Sequence, residues 1–296
     1  LFVGNERPYK NLARVLEAFA LLATGYPGSL VIAGLPLPPR PALVDTEFEE
    51  ARDTRGGHAA VLTRYPCVMF LLLSAPALAG DVLLLGASYV DRNDLEILAE
   101  NLLDEGSGAD RDVEALCAGG LTWAKHVDLV STDETWATTI VDTPWNTVFM
   151  HEFADVADNA PDSEEFLASV EAGKQLGTWF AGNGADVFVW IAWGDIDGGP
   201  DYDDYTGMQD GLRRGAEAQV AGMATVGVNA YIVPIGEAFR AVWAGETDPL
   251  AEGTLFYRLY DTDGEHPSTT GSYLAALVIY TSLTGRDPAG LSAPRD

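Results

Sequence analysis

The fold class predicted for residues 81–296 is an open, parallel α/β sheet with helices on both faces. Two observations predict it. Short apolar runs alternate with stretches of helical period, as strands and crossover helices do. The first run, Val82-Leu83-Leu84-Leu85-Gly86, has no polar residue at all, which suits a central parallel strand covered on both sides. The elements follow in order. Leu95 to Leu103 has helical spacing, Val113 to Cys117 is a weaker strand, and Thr147-Val148-Phe149-Met150 a better one. Ser163 to Gln175 reads as a helix whose first turn, Ser-Glu-Glu, suits the positive end of the helix dipole. Asp186 to Trp193 reads as a strand, Met208 to Met223 as a helix, Ala230 to Pro234 as a strand and Ser272 to Leu283 as the closing helix. Sites in such sheets gather at the carboxyl ends of the strands.

Composition bounds the rest. The chain is 47% hydrophobic and 21% charged over 296 residues, which excludes wholesale disorder, collagen and coiled coil. Its 45 acidic residues outnumber 17 basic ones, and the resulting charge of −28 repels phosphate backbones and anionic lipid. Nucleic acid and membrane surfaces are therefore not expected partners. Lysine is confined to Lys10, Lys125 and Lys174, and so acidic, lysine-poor a surface suits a saline habitat, which reversible aggregation in dilute buffer would support.

The charge also divides the chain. Residues 1–80 carry seven acids and seven bases, so the entire −28 falls after a boundary near Gly80. Before that boundary Arg64-Tyr65-Pro66 precedes an apolar run from Cys67 to Leu78 and an Ala77-Leu78-Ala79 ending. This is the anatomy of a signal peptide cleaved after Ala79, which would make the protein secreted or periplasmic. Its internal position leaves open a buried strand or helix, with a cytoplasmic protein, and also a translation start near Val61 or Met69. Cys67 would leave with such a signal, and Cys117 alone implies no disulfide framework.

Residues 1–60 read as a β-α-β segment. Leu1 to Gly4 and Ser29 to Gly34 are strands, and Asn11 to Leu22 places Leu12, Val15, Leu16, Phe19 and Leu22 on one helical face. The run FVGNERPYKNLARVLEAFALL…LVIAG resembles the opening of the donor-binding domain of retaining glycosyltransferases with two Rossmann-like domains. That resemblance implies Arg7 and Lys10 as grips for a nucleotide-sugar diphosphate. It spans about 35 residues, without the acceptor domain or the later pair of glutamates, so a remnant or fused fragment is expected rather than a working glycosyltransferase.

Two segments carry chemistry. Gly86-Ala87-Ser88 leaves the first strand through a residue able to turn tightly, placing the Ser88 hydroxyl at the strand's carboxyl end. Asp263-Gly264-Glu265-His266 sets an aspartate three residues before a histidine across a glycine turn, so that the carboxylate can orient an imidazole that activates a serine. Singly, each is also an ordinary strand exit and an ordinary Asp-Gly turn. In this order, and with the closing run HPSTTGSYLAALVIYTSLTGRDPAGL, residues 81–292 resemble the SGNH (GDSL-type) hydrolases. The resemblance implies a three-layer, flavodoxin-like parallel sheet and a cofactor-free serine esterase or acylhydrolase, acting on a small ester or an acetylated saccharide. By transfer, Ser88 is the nucleophile, His266 the base and Asp263 its orienting partner. The second family block matches Ala118-Gly119-Gly120-Leu121-Thr122, implying that the N–H of Gly120, with Gly119 as alternative, joins that of Ser88 in the oxyanion hole. Two departures stand out. Ala87 replaces the usual Asp or Asn, and His151-Glu152 falls where the family places an Asn or a Gln-Glu run, so that His151 becomes a candidate third oxyanion donor beside a purely structural role.

Other motifs point away from metals. His151-Glu152-Phe153-Ala154-Asp155 lacks the second histidine of a zinc helix, and His58 and His126 have no partners at ligand spacing. Asp195, Asp197, Asp201, Asp203 and Asp204 crowd a glycine-rich loop, but at a spacing unlike a Ca²⁺-binding EF-hand, so a solvated loop is expected. Trp190, Trp193, Tyr202 and Tyr205 flank it and could wall a cleft or belong to the core. An aromatic cleft would suit a non-catalytic carbohydrate-binding descendant of the same fold. For export, the expected outcome is a mature N-terminus at Gly80, read by mass spectrometry after expression in a secreting host; an unprocessed chain would contradict it.

Overall fold

The computed structural model describes residues 81–108, 111–288 and 291. The segment expected over 1–60, with Arg7 and Lys10, and the signal-like segment 61–80 lie outside the described residues, as does His58. Within them, five strands form one sheet: β1 (Val82–Gly86), β2 (Val113–Cys117), β3 (Thr147–Met150), β4 (Asp186–Trp190) and β5 (Ala230–Val233). Their order is β2-β1-β3-β4-β5 and every neighbouring pair is parallel. β1, entirely buried, lies between β2 and β3. The chain leaves β1 toward β2 and then returns across it to β3, so the direction of winding reverses there. That reversal opens a crevice beyond the carboxyl ends of β1 and β3.

Among the described residues nine α-helices connect and cover the sheet: α1 (Ser88–Asp91), α2 (Leu95–Ser107), α3 (Trp123–Val130), α4 (Glu134–Ala137), α5 (Ala154–Ala157), α6 (Glu164–Gly182), α7 (Tyr205–Ala224), α8 (Ile235–Gly245) and α9 (Thr269–Thr284). Helix α9 packs on α2, whereas α3, α6 and α7 pack in sequence, giving the two helical layers. Starts and stops follow local chemistry. Ser163 caps α6 by accepting from the Phe166 N–H, Asp204 caps α7 through Gly207, and Ser268 caps α9 through Thr270 and Gly271. Gly285, at φ +64°, ends α9 in the left-handed conformation that glycine adopts without strain.

Two differences from the sequence reading have physical causes. The fourth strand stops at Trp190 rather than Trp193, because the buried Gln209 side chain takes over the ladder: its Nε2 donates to the Ala192 carbonyl and its Oε1 accepts from the Gly194 N–H. Helix α8 follows Pro234 directly, where only a strand ending was read: no side chain caps its start, although Ile235, Ala238, Phe239 and Val242 fall at helical spacing on its buried face.

Candidate active site

Strand β1 ends at Gly86, and the chain turns through Ala87 into α1, so Ser88 stands half-buried at the first position of a helix at the carboxyl end of the central strand. Gly86 is required there by crowding. A Cβ on it would lie 2.9 Å from the Cβ of His151 and 2.7 Å from a methyl of Val90. Neighbouring β2 ends at Cys117 and turns through Ala118–Leu121, with Gly120 at φ +68°, the third position of a turn that demands a left-handed residue. Among the described backbone hydrogen bonds, the N–H groups of Ser88 and Gly120 have no protein acceptor.

The Asp263–His266 turn comes from the far end of the chain to the same edge. His266 Nδ1 lies 2.9 Å from Asp263 Oδ2, while Asp263 Oδ1 accepts the N–H groups of Glu265 and His266. Burial raises the Asp263 pKa, but these two N–H groups and the imidazole outweigh it and hold the carboxyl below its ordinary value. Four hydrogen bonds seat the turn. Ile196 N–H donates to the Gly264 carbonyl, Trp193 Nε1 to that of Glu265 at 3.1 Å, Asn93 Nδ2 to that of Pro267 at 2.8 Å, and Asn93 also to Ser272. Asn93 reaches them from a left-handed backbone at φ +60°, directly behind the serine-bearing helix. The His266 ring meets Tyr89, the neighbour of Ser88, edge-on at 5.8 Å between centroids. Asp263 and His266 are thus paired, and His266 packs against Tyr89, the residue after Ser88.

Several other residues take different places from those the sequence suggested. His151, the candidate third oxyanion donor, is almost wholly enclosed. It is buried, its Nδ1 faces the Ala87 N–H at 3.3 Å, and its Nε2 is enclosed without a protein partner. His126, dismissed in the sequence for lack of ligand spacing, is fully buried between the Gly86 carbonyl (3.1 Å) and Trp136 Nε1 (2.9 Å). Trp190, Trp193 and Tyr205 are core residues rather than cleft walls. Trp193 stacks between Tyr89 at 4.3 Å and Phe239 at 4.5 Å. The aromatic cleft that a carbohydrate-binding descendant would need is not formed by them. Tyr202 is the exception: half-buried, it lines a cavity of about 380 Å³ with Asp158, Asp201 and Arg214. Among the described residues, no group of three or more His, Cys, Asp or Glu side chains is placed to hold a metal ion.

Sequence reasoning also missed a buried network beneath the site. Glu152 Oε1 accepts the N–H groups of Trp123 and Phe153, its Oε2 accepts the Ser169 hydroxyl, and Ser169 in turn accepts from Gln219. Burial pushes the Glu152 carboxyl up to about 7 in spite of those donors. Glu152 therefore ties the start of α3 to the end of β3, a structural reason for the acid after His151.

No protein-family model matches the sequence, and no curated protein matches it. Solved structures do match. A candidate SGNH hydrolase from Slackia heliotrinireducens superimposes with a TM-score of 0.54 at 22% identity, over 69% of this chain and 99% of that one. A GDSL-like lipase structure from Parabacteroides merdae gives 0.49 at 15% identity over 70% and 96%, and a lipase/acylhydrolase from Enterococcus faecalis 0.46 at 15% over 73% and 99%. The chain has the SGNH hydrolase fold.

The rim of the site is strongly acidic, with a consequence for stability. Burial, then Glu265 and Asp155 among others, raises Asp195 to about 6; burial, then Asp155 and Asp201, raises Asp158 to about 7. Both groups hold protons in the folded chain that the unfolded chain, with an ordinary value of 3.8, releases. Stability from this source is present at low pH and lost as pH rises through the folded values. The Tm advantage of an Asp158→Asn/Asp195→Asn variant over the parent should therefore grow from about pH 4 to about pH 7.5. A pH-independent difference between their melting curves would contradict it.

Proposed function

We propose that the protein is a serine esterase or acylhydrolase acting on a small ester or an acetylated saccharide. One observation carries this reading: an Asp263–His266 pair in hydrogen-bond contact is seated at the carboxyl edge of the sheet where Ser88 leaves the central strand. The Asp263 carboxylate takes the Nδ1–H of His266, which leaves Nε2 as the base. Nε2 accepts the Ser88 proton as Oγ attacks the ester carbonyl, and the carbonyl oxygen gains the charge. The N–H groups of Ser88 and Gly120, free of protein acceptors, receive that charge, each donor contributing on the order of 3 kcal/mol. Protonated His266 then passes its proton to the departing alkoxide. Water, deprotonated by the same imidazole, resolves the acyl-enzyme and returns Ser88. No step calls on a cofactor or metal.

The acidic rim bears on the substrate. Asp155, Asp195, Asp263 and Glu265 lie close enough to act on Tyr89, and Asp158 is close enough to feel Asp155 and Asp195. An uncharged acyl or sugar ester meets no repulsion there, whereas an anionic one does. The glycosyltransferase alternative would rest on Arg7 and Lys10 alone, and calorimetry with UDP-sugars giving no heat would dispose of it.

The test is hydrolysis of p-nitrophenyl acetate by the full chain. Ser88→Ala and His266→Ala should each lose roughly three or more orders of magnitude in kcat, with binding of a product saccharide retained. Asp263→Asn should also lose activity, by leaving the imidazole in the wrong tautomer. Unchanged turnover in Ser88→Ala would show that the nucleophile lies elsewhere.

A further inference from the structure

The turn that presents Ser88 has no side-chain fastening of its own. Ala87 is the N-cap of α1 and makes no capping hydrogen bond, and Gly86 before it is the residue type with the widest backbone freedom. Backbone pairing of Gly86 with Cys117 and the bonds from the helix to the Ala87 carbonyl flank the peptide unit joining them, and its orientation bears on where the Ser88 hydroxyl points. In the structure both polar ends of that one peptide unit are held. The Gly86 carbonyl faces Nε2 of His126 at 3.1 Å, and the Ala87 N–H faces Nδ1 of His151 at 3.3 Å. Because carbonyl and N–H of a trans peptide point in opposite directions, the two histidines grip it from opposite sides.

The partners fix each ring's proton. Trp136 Nε1–H can only donate, so Nδ1 of His126 is bare and its Nε2 carries the hydrogen given to Gly86. Ala87 N–H can only donate, so Nδ1 of His151 is bare as well. We propose that His126 and His151 are positioning residues for the nucleophile, which as neutral Nε2–H tautomers clamp the Gly86–Ala87 peptide and so aim Ser88 at the substrate. The surroundings favour the neutral rings. His151 is sandwiched by Tyr89, at 5.2 Å, and Trp190, at 4.7 Å, and a charge on either histidine would be felt by the other. Burial lowers His126 to about 4 and His151 to about 3, so both stay neutral over the ordinary pH range. Gly86 belongs to the same device, since any side chain there would push His151 away.

The clamp rests on the hydrolase reading for its consequence, but its geometry can be tested without turnover. Imidazole ¹⁵N NMR of the full chain should show both rings as Nε2–H tautomers at neutral pH, and the Ala87 amide resonance should move in His151→Leu. An Nδ1–H tautomer in either ring would overturn the proposal. In ester hydrolysis, His126→Leu and His151→Leu should each lower kcat roughly 100-fold with KM changed less than about threefold, as displacement of a reacting group does. His126→Gln keeps a donor at the Nε2 position and His151→Asn an acceptor at the Nδ1 position, so each should recover activity to within about tenfold of the parent. Folded leucine variants with parental kcat would overturn the proposal, as would failure of both conservative variants to recover activity. A parent with the expected tautomers and amide shift but no ester turnover would support the clamp and count against the hydrolase reading.

Discussion

The parallel pairing of β1 with β3 is the interaction on which the site depends. It brings Leu85 beside Met150, so that Gly86 at the end of β1 and His151 just past β3 come next. The winding of the sheet reverses at this pair, so the crevice beyond it is open on top while both strands are buried below. Only a glycine fits at position 86, since a Cβ there would collide with His151 and Val90. From that constraint follow the buried histidines, the stack of Tyr89 on Trp193, and the seat of the His266 turn against both.

Burial then divides the titratable groups into two populations. Beneath the Gly86–Ser88 turn, His126, His151 and Glu152 are enclosed and pushed toward their neutral forms, which keeps charge away from it. At the rim, burial pushes Asp158 and Asp195 the same way, whereas Asp263 is held below its ordinary value by the N–H groups and imidazole around it. Between them lies the loop after β4, whose Trp193 and Ile196 bond to the Asp263–His266 turn. The loop after β4 and the Asp263–His266 turn therefore meet through backbone carbonyls, and Gly264, at φ +75° with no room for a Cβ beside Ile196, is part of that seat.

The central strands β1 and β3 were legible in the sequence because they are buried on both sides and read as apolar runs, whereas β2, with Glu114 exposed, gave a weaker signal. The Asp263–His266 pair was legible because it is local, three residues across a glycine turn. His126 and Asn93 were not, since their partners lie 40 and 174 residues away, a relation no spacing rule reports. Asn93 had one faint signal, an Asn-Asp pair suited to left-handed backbone. Trp190, Trp193 and Tyr205 were ambiguous for a different reason. Aromatic residues at a strand end can face the crevice or the core, and Gln209 decides it here by turning the chain inward after Trp190.

The central claim is that Ser88 is a hydroxyl activated by His266. Its most direct test is to react the full chain with a fluorophosphonate at neutral pH and locate the adduct by peptide mass spectrometry. A single adduct on Ser88, lost or greatly slowed in His266→Ala, is the predicted result. An adduct on another residue, or labelling of Ser88 at the same rate without His266, would contradict the account.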